Sequence, residues 1–409
     1  MTQHVSGPSF DIVVIGGGVV GVASAHALAA QGAGVCIVDQ AAAPARGASF
    51  ANGGQLSYAY TDALAAPALL AKLPGLALGL DPVFRLVPGF DPGLYPWLAS
   101  FLRNMTGARF ARNTLDILHL ALESQAALHR LLARHPIAFG HHAPGKMHLY
   151  YSDAVLKAAA ATVAIKQRHG AKQDILSADA AIAIEPALAQ VAGLAGVVHS
   201  PADEVGDARR FSEGLLEVCG REWGVTARFG FAVAKLDRES DRWRISAADG
   251  QTLEARRIVL CAGAQSRAIA RRLGLSLPIQ PMKGYSFTAP RGFLAPQVSI
   301  TDTARKVVFC ALDGRMRVAG LAELGNGSTA VVPARARLLR DLAEQAMPGA
   351  AAYDRIDGDW AGLRPMTPDS RPIIHWIEPG LGLNLGHGML GWTLAMGSAA
   401  RLVRTMPPL

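Results

Sequence analysis

The chain has 409 residues, 50% of them hydrophobic and 18% charged, which is enough for a large core and more than one packed unit. Gly (43) and Pro (24) are spread along its length, marking turns and close backbone approaches and excluding a low-complexity or fibrous chain. The formal charge of +8 admits anionic lipid or an acidic ligand, but aromatics at 6% and the lack of any basic-aromatic module exclude a nucleic-acid partner.

The opening MTQHVSGPSF enters a strand by about Phe10, so no signal peptide is expected. Cys36, Cys219, Cys261 and Cys310 lie far apart with no CxxC pair, and a reducing, cytoplasmic compartment is expected. The β-branched run at 10–15 is followed by Gly16-Gly17-Gly18-Val19-Val20-Gly21, a small-residue helix, and a second strand, VCIVD, ending in Asp39 beside Gln40. That is the dinucleotide fingerprint in its strand–turn–helix setting. Gly16 permits the tight turn, Gly18 lets backbone N–H groups reach a pyrophosphate, and Gly21 lets helix and strand pack closely. Asp39 is placed to accept hydrogen bonds from a ribose.

An NAD domain would continue with its own βαβ units. Here RGASFANGGQLSYAY (46–60) follows instead. Small residues with Ser49, Asn52, Gly53, Gly54, Gln55 and Leu56 suit a loop laid against a large flat ring, or else an ordinary turn-rich loop. The next stretch, 63–105, is strongly apolar, but prolines at 67, 74, 82, 88, 92 and 96 interrupt it. No unbroken apolar helix of about 20 residues fits, so it should not span a bilayer. Lys72, Arg85, Arg103, Arg109 and Arg112 outnumber Asp81 and Asp91, and Phe84, Phe90, Tyr95, Trp97 and Phe101 are interleaved. This suits a peripheral surface on anionic lipid; the alternative is an insertion covering the active site, or a subunit contact.

Helical periodicity spans 112–134. Strands are expected at 146–152, 196–206, 231–236, 283–289, 306–312 and 316–323. His141, His142 and His148 show no metal-ligand spacing, and no metal is expected. The strand within 255–266 ends at Cys261-Ala262-Gly263, where small residues permit close approach. In DWAGLRPMTPDSRPII (359–374), Trp360 and Leu363 anchor the chain before Arg364, while Pro365 and Pro368 stiffen it after. A guanidinium held there offers a two-pronged donor for a carboxylate; its alternative is a salt bridge to Asp369. LGLNLGHGMLGWTLAMGSA (381–399) reads as strand, Gly-rich turn and helix start, with Gly391-Trp392-Thr393 aiming N–H groups at an electron-rich ligand edge. His387 reads as a polar turn residue, not a base.

These stretches, in this order and over nearly the whole chain, resemble the D-amino-acid oxidase-like FAD oxidoreductases, most of all their bacterial dehydrogenases. The carrying segments are IGGGVVGVASAHAL, SFANGGQLSYAY, DEVGDARRF, VLCAGAQS, PIQPMKGYSFT, GLRPMTPDSRPII and LGLNLGHGMLGWTLAMGSA. The resemblance implies an α/β fold: a Rossmann-like FAD-binding domain (1–62, 196–270 and 355–409) and a substrate domain on an antiparallel β-sheet with helices (63–195 and 271–354). It implies non-covalent FAD, since Cys261 and Cys310 read as strand residues. Val233 would meet the adenine, and Gly386, His387, Gly388 and Leu390 would join the flavin contacts together with Arg364. Arg364 would also hold the substrate carboxylate, with Tyr60 and Tyr285 on the same carboxylate or the pocket wall. The implied reaction is oxidative deamination of D-amino acids to 2-oxo acids and ammonia by hydride transfer from Cα to flavin N5, with electrons passed to a quinone or other acceptor rather than mainly to oxygen. Glycine, sarcosine, D-hydroxyproline or an L-amino acid are alternative substrates, and a flavin-binding subunit of a heteromer is an alternative role. Tyr58-Ala59 stands where relatives carry Pro-Gly, and Asp62 replaces a small residue, which leaves side-chain preference open.

Overall fold

The structure, a computed structural model, describes residues 8–87 and 91–408. The run expected at 10–15 forms the strand Ser9–Ile15, the centre of a sheet buried on both faces. Alternate side chains explain the continuous apolar sequence: Ile12 and Val14 enter one core, Val13 and Ile15 the other. Val35–Asp39 and Thr226–Phe229 extend it on one side, Thr252–Leu260 and Leu381–Leu385 on the other, all parallel. The hairpin Val233–Glu239 and Arg242–Ala247 adds antiparallel strands, and Ile373–Glu378 closes the far edge. Helices Val19–Ala29, Gly107–Arg134, Ala208–Trp223 and Gly391–Arg404 contribute to the core on one face.

A second sheet runs Gly358–Met366, Gln280–Pro290, Arg315–Leu324, Val307–Leu312, Ser299–Asp302, Lys146–Tyr150, Gly196–Ser200 and Asp174–Ser177. It is antiparallel except where Ser299–Asp302 meets Lys146–Tyr150, and where Phe84–Leu86 lies beside Arg315–Leu324. Helix Pro333–Ala346 packs Leu339 and Ala343 into its core. The strand expected at 196–206 lies in this antiparallel sheet, and one strand of the segment 355–409 pairs here too. Gly196–Ser200 takes Lys146–Tyr150 as partner, and Gly358–Met366 takes Gln280–Pro290. Backbone hydrogen-bond partners, not position in the chain, decide sheet membership.

The apolar stretch 63–105 is largely folded in. It forms a short 3₁₀ turn, a one-turn helix, the strand Phe84–Leu86 and the helix Leu94–Asn104. Trp97 and Phe101, expected on an outer surface, are buried and stacked at 5.2 Å. They pack with Met282, Leu324 and Met366, and the Trp97 indole donates to the Met366 carbonyl. Phe90 and Pro88 lie outside the described residues. No helix among the described residues is long and apolar enough to cross a membrane.

Candidate active site

A cavity of about 1160 Å³ is walled by residues of both sheets. Its lining includes Gly16, Gly18, Val19, Val20, Asp39, Gln40, Ser49, Asn52, Gly53, Gly54, Gln55, Val233, Cys261, Ala262 and Gly263. Tyr60, Tyr285, Arg364, Gly386, His387, Gly388, Leu390, Gly391 and Trp392 also line it. Gly21, Leu56 and Thr393 do not. A smaller pocket of about 680 Å³ beside Asp369 and Arg371 contains none of the expected residues.

The glycines of the first turn have separable tasks. Gly16 has φ +115, and a Cβ there would lie 2.6 Å from the Cys261 carbonyl oxygen. A Cβ on Gly21 would lie 1.8 Å from the Gly16 carbonyl oxygen, so Gly21 serves packing and not the cavity. A Cβ on Gly18 would meet only Ser49 Oγ, at 3.5 Å; this glycine keeps the cavity open. Asp39 is more occupied than a ribose acceptor need be: it accepts from Gly17 N at 2.6 Å and from Ala41 N at 2.8 Å. The Val19 N–H donates to Ser49 Oγ at 3.1 Å. The Ser49 hydroxyl, which lines the cavity, therefore stands at the helix start where an anion would be received.

The 49–57 loop is held by long-range bonds. Gln55 pairs with Val205 in a two-stranded ladder and donates through Nε2 to Ser299 Oγ at 2.6 Å. Its Oε1 accepts from Lys146 Nζ at 2.9 Å, and Ser57 Oγ accepts from the same ammonium at 2.7 Å. Leu56 is core, and Thr393 Oγ1 accepts from Ser57 N, so both support the loop from behind. The Trp392 ring turns into the core beside Phe211 and donates to the Gly206 carbonyl. Cys261 is a buried free thiol whose pKa burial pushes up to about 12.

Arg364 sits in the strand Gly358–Met366 and faces the cavity. Its Nη1 donates to the Leu321 carbonyl at 3.1 Å, and it has no carboxylate partner among the described residues. Burial pushes its pKa down to about 10, which leaves it cationic at neutral pH. Asp369, the alternative partner, pairs with Arg371 at 3.0 Å. The Tyr60 ring lies 4.0 Å from His148, and its hydroxyl makes no hydrogen bond among the described residues. Tyr285 is different: its hydroxyl donates to Glu323 at 3.3 Å, and that carboxylate also pairs with Arg335. Tyr285 is thus a wall residue whose polar end is already engaged. His387 is buried, its Nε2 has no partner among the described residues, and burial pushes its pKa down to about 3. At neutral pH it is a neutral imidazole.

The sequence pattern of the family described as FAD dependent oxidoreductase (DAO) matches residues 11–405. The chain belongs to this family. It is 40% identical to a D-amino acid dehydrogenase of Paramagnetospirillum magneticum, covering 95% of this chain and 92% of that protein. It is 37% identical to D-amino acid dehydrogenase 2 of Ralstonia nicotianae, covering 96% and 95%. Among solved structures it resembles glycine oxidase from Bacillus cereus (TM-score 0.72, 18% identity, 96% and 93% covered). It likewise resembles L-proline dehydrogenase from P. horikoshii (TM-score 0.75, 17% identity, 98% and 94% covered).

FAD is therefore the cofactor of this FAD dependent oxidoreductase, and its cavity fits the group. The cradle at Gly18 would be filled by a Cβ, and among the described residues His387 Nε2 has no partner and Arg364 no carboxylate. Two lining features, Lys146 and Gly284, are not singled out by the sequence. Lys146 is 2% exposed, yet among the described residues it hydrogen-bonds only to the neutral Gln55 and Ser57 side chains, and burial pushes its pKa down. A lysine in an otherwise apolar strand, KMHLYY, was the available signal. Gly284 has its absent Cβ 2.4 Å from Arg364 Nη2, so the guanidinium lies across bare backbone. Asp62 also lines the cavity and is held by the buried Lys166 at 2.7 Å.

Proposed function

We propose that the chain oxidises D-amino acids with FAD to the 2-oxo acid and ammonia, and passes the electrons to a quinone or similar acceptor. The observation that carries the substrate class is Arg364: a cavity-facing cation with no carboxylate partner among the described residues. The D configuration and the dehydrogenase character come from the names of the relatives. When bound, FAD supplies an acceptor for the Cα hydride. The side chains bind and orient. Arg364 holds the carboxylate, the free Tyr60 hydroxyl donates to it, and Tyr285 with neutral His387 shapes the wall without carrying charge. Catalysis of this kind is mainly positioning. The substrate nitrogen lone pair forms the C=N bond as hydride leaves, and water hydrolyses the iminium to the 2-oxo acid and ammonia. The test is an anaerobic titration of the purified holoprotein. D-amino acids should bleach the blue flavin absorption, L-amino acids should not, and a quinone analogue should restore it faster than air. A spectrum unchanged by every D-amino acid would refute the reading.

We also propose a peripheral seat on the cytoplasmic face of an anionic membrane, resting on a smaller patch than the whole apolar stretch. Leu78 (75% exposed), Leu80 (73%) and Leu70 (49%) protrude with the exposed Lys72 and Arg85 nearby in sequence. Apolar insertion flanked by cations suits anionic lipid. The protein should co-sediment with anionic vesicles, only partly released by salt, because the apolar contribution survives screening. Leu78→Ser with Leu80→Ser should release it with FAD retained. Absence of binding at low salt would mark the patch as a subunit contact.

A further inference from the structure

His129, His141 and Glu204 are far apart in sequence and lie outside the cavity lining. The fold brings one ring nitrogen of each histidine and the carboxylate of the glutamate within 4.8 Å of one another. His129 Nε2 is 2.6 Å from Glu204 Oε1, and His141 Nε2 is 2.8 Å from Glu204 Oε2. The three come from separate elements: the helix Gly107–Arg134, the loop before Lys146–Tyr150, and the strand Glu204–Val205. We propose that they form a binding site for one divalent transition-metal ion of zinc type.

The donor set supports this class. Two imidazole nitrogens and one carboxylate are the ligands such ions favour, whereas magnesium and calcium prefer oxygen alone. The geometry needs little change. Bonds of about 2.0–2.2 Å in a tetrahedron set ligand atoms roughly 3.3 Å apart, so the contacts of 2.6 and 2.8 Å must open by about half an ångström or slightly more, with all three ligand atoms already within 4.8 Å of one another. His129 is half exposed, which gives the ion an entry path, and three protein ligands leave the fourth position for water. The carboxylate is the fixed point. Glu204 is buried, Gln125 Nε2 donates to its Oε1 at 3.2 Å, and the Tyr58 hydroxyl reaches its Oε2 at 3.3 Å. The His141 ring is backed by Phe139 at 5.1 Å. Such supporting contacts orient ligands around a metal.

The position gives the ion a consequence. The strand bearing Glu204 pairs with Gln55–Leu56, and Tyr58 belongs to the loop that runs from that pair to Tyr60 at the cavity. An ion bound here clamps the back of the loop that lines the cavity, away from the reacting atoms.

The probe is zinc chloride, added to chelator-treated and dialysed holoprotein and followed by calorimetry and thermal melting. Wild type should take up about one ion per chain, and its melting midpoint should rise by several degrees. His129→Ala and His141→Ala should each weaken uptake by at least about tenfold and abolish the thermal shift, with flavin content unchanged. His119→Ala is the control. His119 and His169 form a second histidine pair, 3.3 Å apart, without a carboxylate, and this variant should bind as wild type does. Magnesium should give no uptake. If wild type shows no saturable uptake, or the double variant His129→Ala/His141→Ala retains it, the cluster is a hydrogen-bonded network only and the proposal falls.

Discussion

Arg364→Lys is expected to keep fold and flavin while lowering kcat/KM for D-amino acids by roughly 10²-fold or more, a loss of about 3 kcal/mol of charge-assisted bonding. The guanidinium spends one N–H on the Leu321 carbonyl and keeps the others for the cavity. A lysine ammonium is a point donor and cannot reproduce the two-pronged fit. Leu321 itself has φ +58, a conformation uncommon for leucine, which fixes the direction of its carbonyl. Gly284→Ala gives the companion test. Its Cβ would intrude to 2.4 Å from Arg364 Nη2, so the cation must move though its charge is unchanged. A similar fall in kcat/KM with full flavin content should follow. Amines lacking a carboxylate should lose little in either variant. Normal oxidation of D-amino acids by flavin-replete Arg364→Lys would remove Arg364 from the carboxylate site.

Gly18→Val should yield folded protein nearly empty of FAD, whereas Gly21→Ala should yield unstable protein. The two glycines sit in one motif, but their missing side chains point to different places. At Gly18 the added atoms enter the open cradle, where only Ser49 Oγ is near, at 3.5 Å. They compete with the pyrophosphate and disturb no packing. At Gly21 the added Cβ would lie 1.8 Å from a backbone oxygen, and the helix must be pushed off the strand. Overpacking of this kind costs about 1–3 kcal/mol or more. Flavin absorbance relative to protein absorbance, read beside the melting temperature, separates the two outcomes. Wild-type occupancy in Gly18→Val would sink the fingerprint assignment.

Much of this was legible because it is encoded locally. The turn at Gly16 requires positive φ, which only glycine adopts freely, and the sequence carries glycine there. Within the strand Ser9–Ile15, the four residues from Ile12 to Ile15 are continuously apolar and buried, as a strand between two cores must be. Arg364 stood out because the prolines and bulky residues around it stiffen the chain on both sides. The apolar stretch leaves two readings open for a physical reason. Hydrophobic composition is the same whether a face meets lipid or protein, and only the partners Met282, Leu324 and Met366 distinguish them for Trp97 and Phe101.

By itself, then, the sequence determined the dinucleotide turn, the α/β order of elements, the family pattern and the arginine to examine, because backbone propensity and side-chain period act over a few residues. The tertiary structure alone decided which groups face one another. It set bare Gly284 against Arg364 across a ladder and gave Asp369 to Arg371. It carried Lys146 from another strand to Gln55 and Ser57, and it gathered His129, His141 and Glu204 from three elements. Such meetings depend on strand pairing and helix packing between distant segments. Burial and hydrogen bonding over the whole chain select them, and no local stretch contains that information.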